Sequence, residues 1–152
     1  HLVLSTSHAP STYQALERII DLFPPHERHL AQTRLASLLV GILCQTLVPR
    51  SDGNGRIAAV EIMLANGAVK NLIREGKIYQ LPNTIRTSRD EGMITLDESL
   101  VDLHRRQKIS RDVVFEFCND PDETERLMGS TSHVRGNGRR KSGGGSTMLS
   151  FL

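Results

Sequence analysis

A reversal in the middle of the chain limits the folds open to it. Ser51-Asp-Gly-Asn-Gly55 places two glycines within five residues, where positive φ is needed, and apolar runs stand on both sides. The pattern predicts a β-hairpin, with strands around residues 45–48 and 56–64. Composition narrows what can pack on it. Trp is absent, and the 152 residues hold only two Tyr and four Phe. The core must therefore be built from Leu, Ile, Val and Ala, which favours helices and aliphatic strands over an aromatic sandwich.

Upstream of the hairpin, His1-Leu-Val-Leu-Ser-Thr6 is an apolar run ending in small hydroxyl residues, the pattern of a buried strand that delivers its C-terminal end to a site. Pro10 and Ser11 open a helix with Leu16, Ile19, Ile20 and Phe23 on one face, and Pro24-Pro25 breaks it. A longer helix is predicted from about His26, with Leu30, Leu35, Leu38, Leu39 and Ile42 as its apolar stripe. After Asn66 the chain reads as all-helical in short pieces. Asn66 caps a helix running to Glu75, and another covers roughly residues 78–89. Thr95 with Glu98 forms a capping box, Ser110 caps Val113, Val114 and Phe117, and Asp120-Pro121 starts a last helix. The expected division is a strand-containing portion over residues 1–64 and a helical one over 65–128. Residues 129–152 hold six of the twelve glycines and read as a disordered basic Gly/Ser-rich tail.

The tail also explains the charge. It carries Arg135, Arg139, Arg140 and Lys141 and no acids, so of the net +2 it contributes +4 and residues 1–128 carry −2. The folded portion is thus no basic surface for nucleic acid. No run approaches the roughly 18 apolar residues of a membrane span. Cys44 and Cys118 lack metal-ligand spacing and read as structural thiols of a reducing compartment. No metal-ligand set is expected. A chain opening on His1 reads as a fragment.

Two motif-like strings lack the context their chemistry needs. Gly136-Asn-Gly-Arg-Arg-Lys-Ser142 resembles a phosphate loop, but Arg140 stands where a Gly must precede the Lys, and no strand leads into it. His26-Glu-Arg-His29 spaces its histidines three apart, not four. His8 has better context. It follows the end of an apolar strand pattern inside a hydroxyl-rich turn, where an open α/β sheet would present ligands. A loop histidine at a helix start fits the same residues. Residues 68–75 form an amphipathic helix, with Val69, Leu72 and Ile73 inward and Lys70, Arg74 and Glu75 outward.

In this order the pieces resemble the type IV pilus retraction (twitching-motility) ATPases of the secretion-ATPase superfamily. His1-Leu-Val-Leu-Ser-Thr-Ser-His8 resembles the family's His box, and Arg18-Ile-Ile-Asp-Leu-Phe-Pro24 the segment after it. Leu43-Cys-Gln-Thr-Leu47 and Gly55-Arg-Ile-Ala-Ala-Val-Glu-Ile-Met63 resemble the next two strands. Ala68-Val-Lys-Asn-Leu-Ile-Arg-Glu75 is similar to the signature Ala-Ile-Arg-Asn-Leu-Ile-Arg-Glu, which is associated with retraction as opposed to assembly. Gly92-Met-Ile-Thr-Leu-Asp97 and the stretch from Asp120 to Met128 match the family's C-terminal helices.

The resemblance implies an α/β fold, the C-terminal portion of a RecA-like P-loop NTPase domain followed by a small all-helical subdomain. It implies a cytoplasmic homo-hexamer, peripheral at the inner membrane, that uses ATP and Mg²⁺ and works on a pilus-base platform protein. By the same carry-over His8 would sense or stabilise the γ-phosphate, with Thr6 beside it. Ala68, Asn71, Leu72, Ile73, Arg74 and Glu75 would form the coupling motif. Val69 and Lys70 depart from that signature's Ile and Arg, and Ser5, Ser7 and Ala9 from the usual Gly, Leu and Thr around the His box. The family's phosphate loop and acidic boxes have no counterpart in the sequence. By itself the chain is therefore expected neither to bind nor to hydrolyse ATP, and residues 1–6, without neighbouring strands, are expected to form an exposed edge. The alternatives are a fragment of a pilus-assembly or type II secretion ATPase, or a non-enzymatic module that docks on a pilus motor.

Overall fold

A computed structural model of the chain describes residues 1–129. The order is α1 (Thr12–Asp21), α2 (Arg28–Leu38), β1 (Gly41–Pro49), β2 (Arg56–Leu64), α3 (Gly67–Arg74), α4 (Leu81–Thr87), α5 (Leu96–Arg105), α6 (Arg111–Phe117) and α7 (Pro121–Gly129). The basic tail and its phosphate-loop-like string fall outside the described residues, apart from Gly129, which closes α7.

The hairpin forms as its turn chemistry requires. β1 and β2 pair antiparallel from Gly41↔Leu64 to Pro49↔Arg56, so the first strand starts four residues earlier than the sequence pattern suggests. Gly53 and Gly55 take φ of 72° and 78° in the connection. Ile42, Cys44, Thr46 and Val48 oppose Met63, Glu61, Ala59 and Ile57 in this register and share one face of the sheet. That face is the more buried one, while Leu43 and Leu47 on the other are 61% and 46% exposed.

Local signals also set most helix starts. Ser11, Asn66 and Ser110 accept hydrogen bonds from the amides of Gln14, Val69 and Val113. Thr95 and Glu98 form the expected capping box. Asp120 Oδ1 accepts from the Glu123 amide at 3.0 Å at the start of α7.

Three expectations are corrected. Residues 1–9 form neither helix nor strand, and Leu2, Val3 and Leu4 are 78%, 81% and 88% exposed. An apolar run becomes a buried strand only when another strand takes up its backbone groups, and the one sheet among the described residues contains only β1 and β2. Among the described residues the sheet's edges are therefore those of β1 and β2, and residues 1–6 form neither. In α2, Ala31 and Ala36 are buried while Leu30 and Leu38 are 51% and 78% exposed. The helix packs against α3 and α1, and small residues let it approach closely. Finally, the helix expected over 78–89 is split. A 3₁₀ turn (Ile78–Gln80) precedes α4, where Pro82 occupies the first helical turn, and a second (Arg89–Glu91) ends at Gly92 with φ of 92°.

Two apolar clusters hold the chain together. One joins Leu16, Ile20, Ala36, Met63, Val69, Ile73 and Ile85 with their neighbours; the other joins Val48, Ala59, Leu96, Leu100, Ile109 and Val114. Each draws on residues from both sides of position 64. β2 is tied to the helical region as well: Ser99 Oγ accepts from the Val60 amide at 3.0 Å, and Ile62 and Ile94 form an isolated bridge. Among the described residues no helix is long and apolar enough to cross a membrane.

Candidate functional site

α3 begins where Asn66 takes an extended conformation and accepts from the Val69 amide at 3.0 Å. Its Nδ2 donates to both Glu91 carboxylate oxygens, at 3.0 and 3.1 Å, which pins the cap to the turn after α4. Val69 and Ile73 are fully buried and Leu72 packs partly buried against the same cluster. The opposite face presents Ala68, Asn71, Arg74 and Glu75. There Asn71 donates to Glu75 at 2.8 Å, Arg74 donates to Asn71 at 3.3 Å, and Lys77 pairs with Glu75 at 2.9 Å. The hydrogen bonds from Lys77 and Asn71 hold the Glu75 carboxyl below the usual range, so this surface stays charged at neutral pH.

Thr6 and His8 stand on the exposed segment that leads into α1. The His8 carbonyl accepts from the Arg18 guanidinium, while its imidazole lies in solvent. Among the described residues no hydrogen bond or ion pair links this segment to α3. A nucleotide site needs a cradle of backbone N–H groups and a Lys. Among the described residues no such cradle is assembled around Thr6 and His8. Nor do the described residues contain a His/Cys/Asp/Glu group fit to hold a metal ion.

A feature that sequence reasoning passed over lies at the start of α1, just after this segment. Glu61 Oε1 accepts from both the backbone N–H and the hydroxyl of Thr12, each at 2.7 Å, and Glu61 is only 8% exposed. The signal was available. Counting by twos along β2 puts Glu61 on the face of Ala59 and Met63, and an acid on a core face must find donors. Its partner, 49 positions away, was not readable. Across the hairpin, burial and then the Glu61 charge push the Cys44 thiol up to about 11. Asp97, also buried, accepts from the Asn119 and Asp120 amides at 2.7 and 3.0 Å and so fixes the turn before α7. Burial nevertheless raises its pKa. Glu61 and Asp97 open on a polar cavity of about 440 Å³, lined also by Ser11, Arg86, Thr95 and Asp120.

No family model matches the chain. A twitching motility protein of Neisseria gonorrhoeae is 41% identical over 110 residues, which is 72% of this chain and 29% of that protein. The type IV pilus retraction ATPase PilT of Pseudomonas aeruginosa is 38% identical over 122 residues, 80% of this chain and 35% of that one. Among solved structures, that of the pilus retraction motor PilT with bound ADP superposes with a TM-score of 0.73 at 32% identity, covering 83% of this chain and 35% of the other. The chain thus spans about a third of the length of the relatives it matches. At these identities the chain belongs to the family of PilT-like type IV pilus retraction ATPases, and its fold matches the C-terminal part of theirs.

Proposed function

We propose that this chain belongs to a hexameric motor that hydrolyses ATP, with Mg²⁺, to power type IV pilus retraction and twitching motility. In this reading residues 1–64 complete the nucleotide-binding core and residues 65–128 form the helical subdomain. Thr6 and His8 face the nucleotide held by the rest of the protein. The exposed side of α3 passes subunit motion to a platform protein at the pilus base. The phosphate cradle comes from outside these residues, so turnover is a property of the whole protein.

The observation that carries the reading is the construction of α3. The motif residues divide between an anchored half, Leu72 and Ile73 packed with Val69, and a presented half, Asn71, Arg74 and Glu75, joined by their own hydrogen bonds. An ordered polar row on a helix fixed from behind suits contact with a partner.

The test is made in the full-length protein and its host. Arg74→Ala should abolish twitching while surface pili remain and ATP turnover persists. Loss of the pili themselves would point to an assembly ATPase instead. Purified as the 152-residue chain, the protein should show no ATP turnover. A rate of about 1 per second or more, lost on His8→Ala, would overturn the assignment of the cradle to other residues.

A further inference from the structure

We propose that Glu61 is a positioning residue that sets the backbone of the segment carrying Thr6 and His8; the catalytic consequence rests on the function proposed above. Ala59 and Met63, its neighbours on the same face of β2, are completely buried and apolar. A carboxylate between them is strongly unfavourable unless donors hold it. Both donors come from Thr12, the first residue of α1. The first turn of α1 has no acid of its own, so Glu61 supplies from β2 the negative charge that a helix N-terminus favours. This bond fixes where α1 begins, four residues after His8.

A second restraint acts upstream, where the Arg18 guanidinium holds the His8 carbonyl. The stretch from His8 to Thr12 is thus held at both ends, while the imidazole stays exposed and available. The strand that provides the anchor leads within five residues to Asn66, the cap of α3. One strand therefore supports both the His8 segment and the presented helix.

The experiment uses the full-length protein with Glu61→Ala, Glu61→Gln, Thr12→Val, His8→Ala and the Glu61→Ala/His8→Ala pair. Hydrogen exchange reads the anchor without ATP: amides 12–15, in the first turn of α1, should exchange at least about tenfold faster in Glu61→Ala and Thr12→Val, with α3 unchanged. Steady-state kinetics read the consequence. Glu61→Ala should lower kcat about tenfold or more and leave KM for ATP within about twofold, because the segment aligns a group acting in turnover. Glu61→Gln keeps a carbonyl acceptor for Thr12 and should retain most of the rate. The double variant should be no slower than His8→Ala alone.

Unchanged exchange at residues 12–15 would overturn the anchor. Losses that multiply between Glu61→Ala and His8→Ala, or that follow only the folded fraction, would reduce Glu61 to a packing role and overturn the proposal. Should Glu61→Ala fail to fold, Thr12→Val and Glu61→Gln decide the same points. Absence of ATP turnover in the unaltered protein, or no effect of His8→Ala, would instead overturn the proposed function, and the exchange result would still decide the anchor.

Discussion

Neighbouring residues Ile73 and Arg74 should fail in opposite ways when truncated. Ile73 is fully buried in the cluster with Leu16, Met63, Val69 and Ile78. Changing it to Ala deletes three carbons, about 2.4 kcal/mol at roughly 0.8 kcal/mol per buried carbon. The cavity left behind raises the cost to about 3–4 kcal/mol. For a cooperative unit of 150–250 residues each kcal/mol moves the midpoint by about 2–4 °C, so Ile73→Ala should lower melting by about 6–16 °C. Arg74 is exposed and its hydrogen bond within the helix is a 3.3 Å contact to Asn71. Its loss should cost less than about 0.5 kcal/mol. Differential scanning calorimetry of the full-length protein, read beside twitching zones, separates the two. Arg74→Ala should melt like the parent and not twitch. Equal melting losses in both variants, or a parent-like midpoint for Ile73→Ala, would refute the division of α3 into an anchored and a presented half.

Two further outcomes rest on the buried acids. With its thiol pushed up to about 11 by burial and by Glu61, Cys44 should react with iodoacetamide at pH 8 about a hundredfold more slowly than an ordinary cysteine, and Glu61→Gln should speed it. Mass spectrometry of the alkylated protein measures both rates, and fast labelling of Cys44 in the folded parent would refute the charge environment drawn for Glu61. Asp97 has a folded-state pKa raised by burial, so the native state holds that proton more tightly than the unfolded chain does. Its contribution to stability is therefore greatest below the unfolded value of about 3.9 and declines as pH rises through the raised one. Urea titrations across pH 3.5–6 should show that decline flattened in Asp97→Ala.

What the sequence made legible was whatever is decided within a few residues. Ser11, Asn66, Thr95, Ser110 and Asp120 could be read as caps because each satisfies the amide three positions on. Gly53 and Gly55 could be read as a reversal because tolerance of positive φ belongs to glycine itself. The misreadings concern what a segment meets. Leu30 and Leu38 look like core, yet they lie outward because α2 approaches α3 through Ala31 and Ala36. Residues 1–6 have the composition of a strand, but strand formation depends on a neighbour to receive its hydrogen bonds. The Glu61–Thr12 bond joins positions 49 apart, and neither local sequence names the other. The motif comparison brought out α3 and the His8 segment; only the geometry brought out the buried acid that holds Thr12.

α3 also bears on why a coupling signature should be contiguous at all. Eight residues are too few for a helix to persist alone, since isolated helices below about 12–15 residues are marginal in water. It exists because Val69 and Ile73 are buried and because Asn66 and Glu91 fix its start. The polar residues inherit their spacing from that packed face: Asn71 and Glu75 are four apart, Asn71 and Arg74 three, and each pair is bonded. On the coupling role proposed above, a substitution on either face disturbs retraction, through loss of the helix or through loss of what it presents. An eight-residue run with mixed apolar and polar character is what a short helix must have when the fold anchors one face and, as proposed, a partner reads the other.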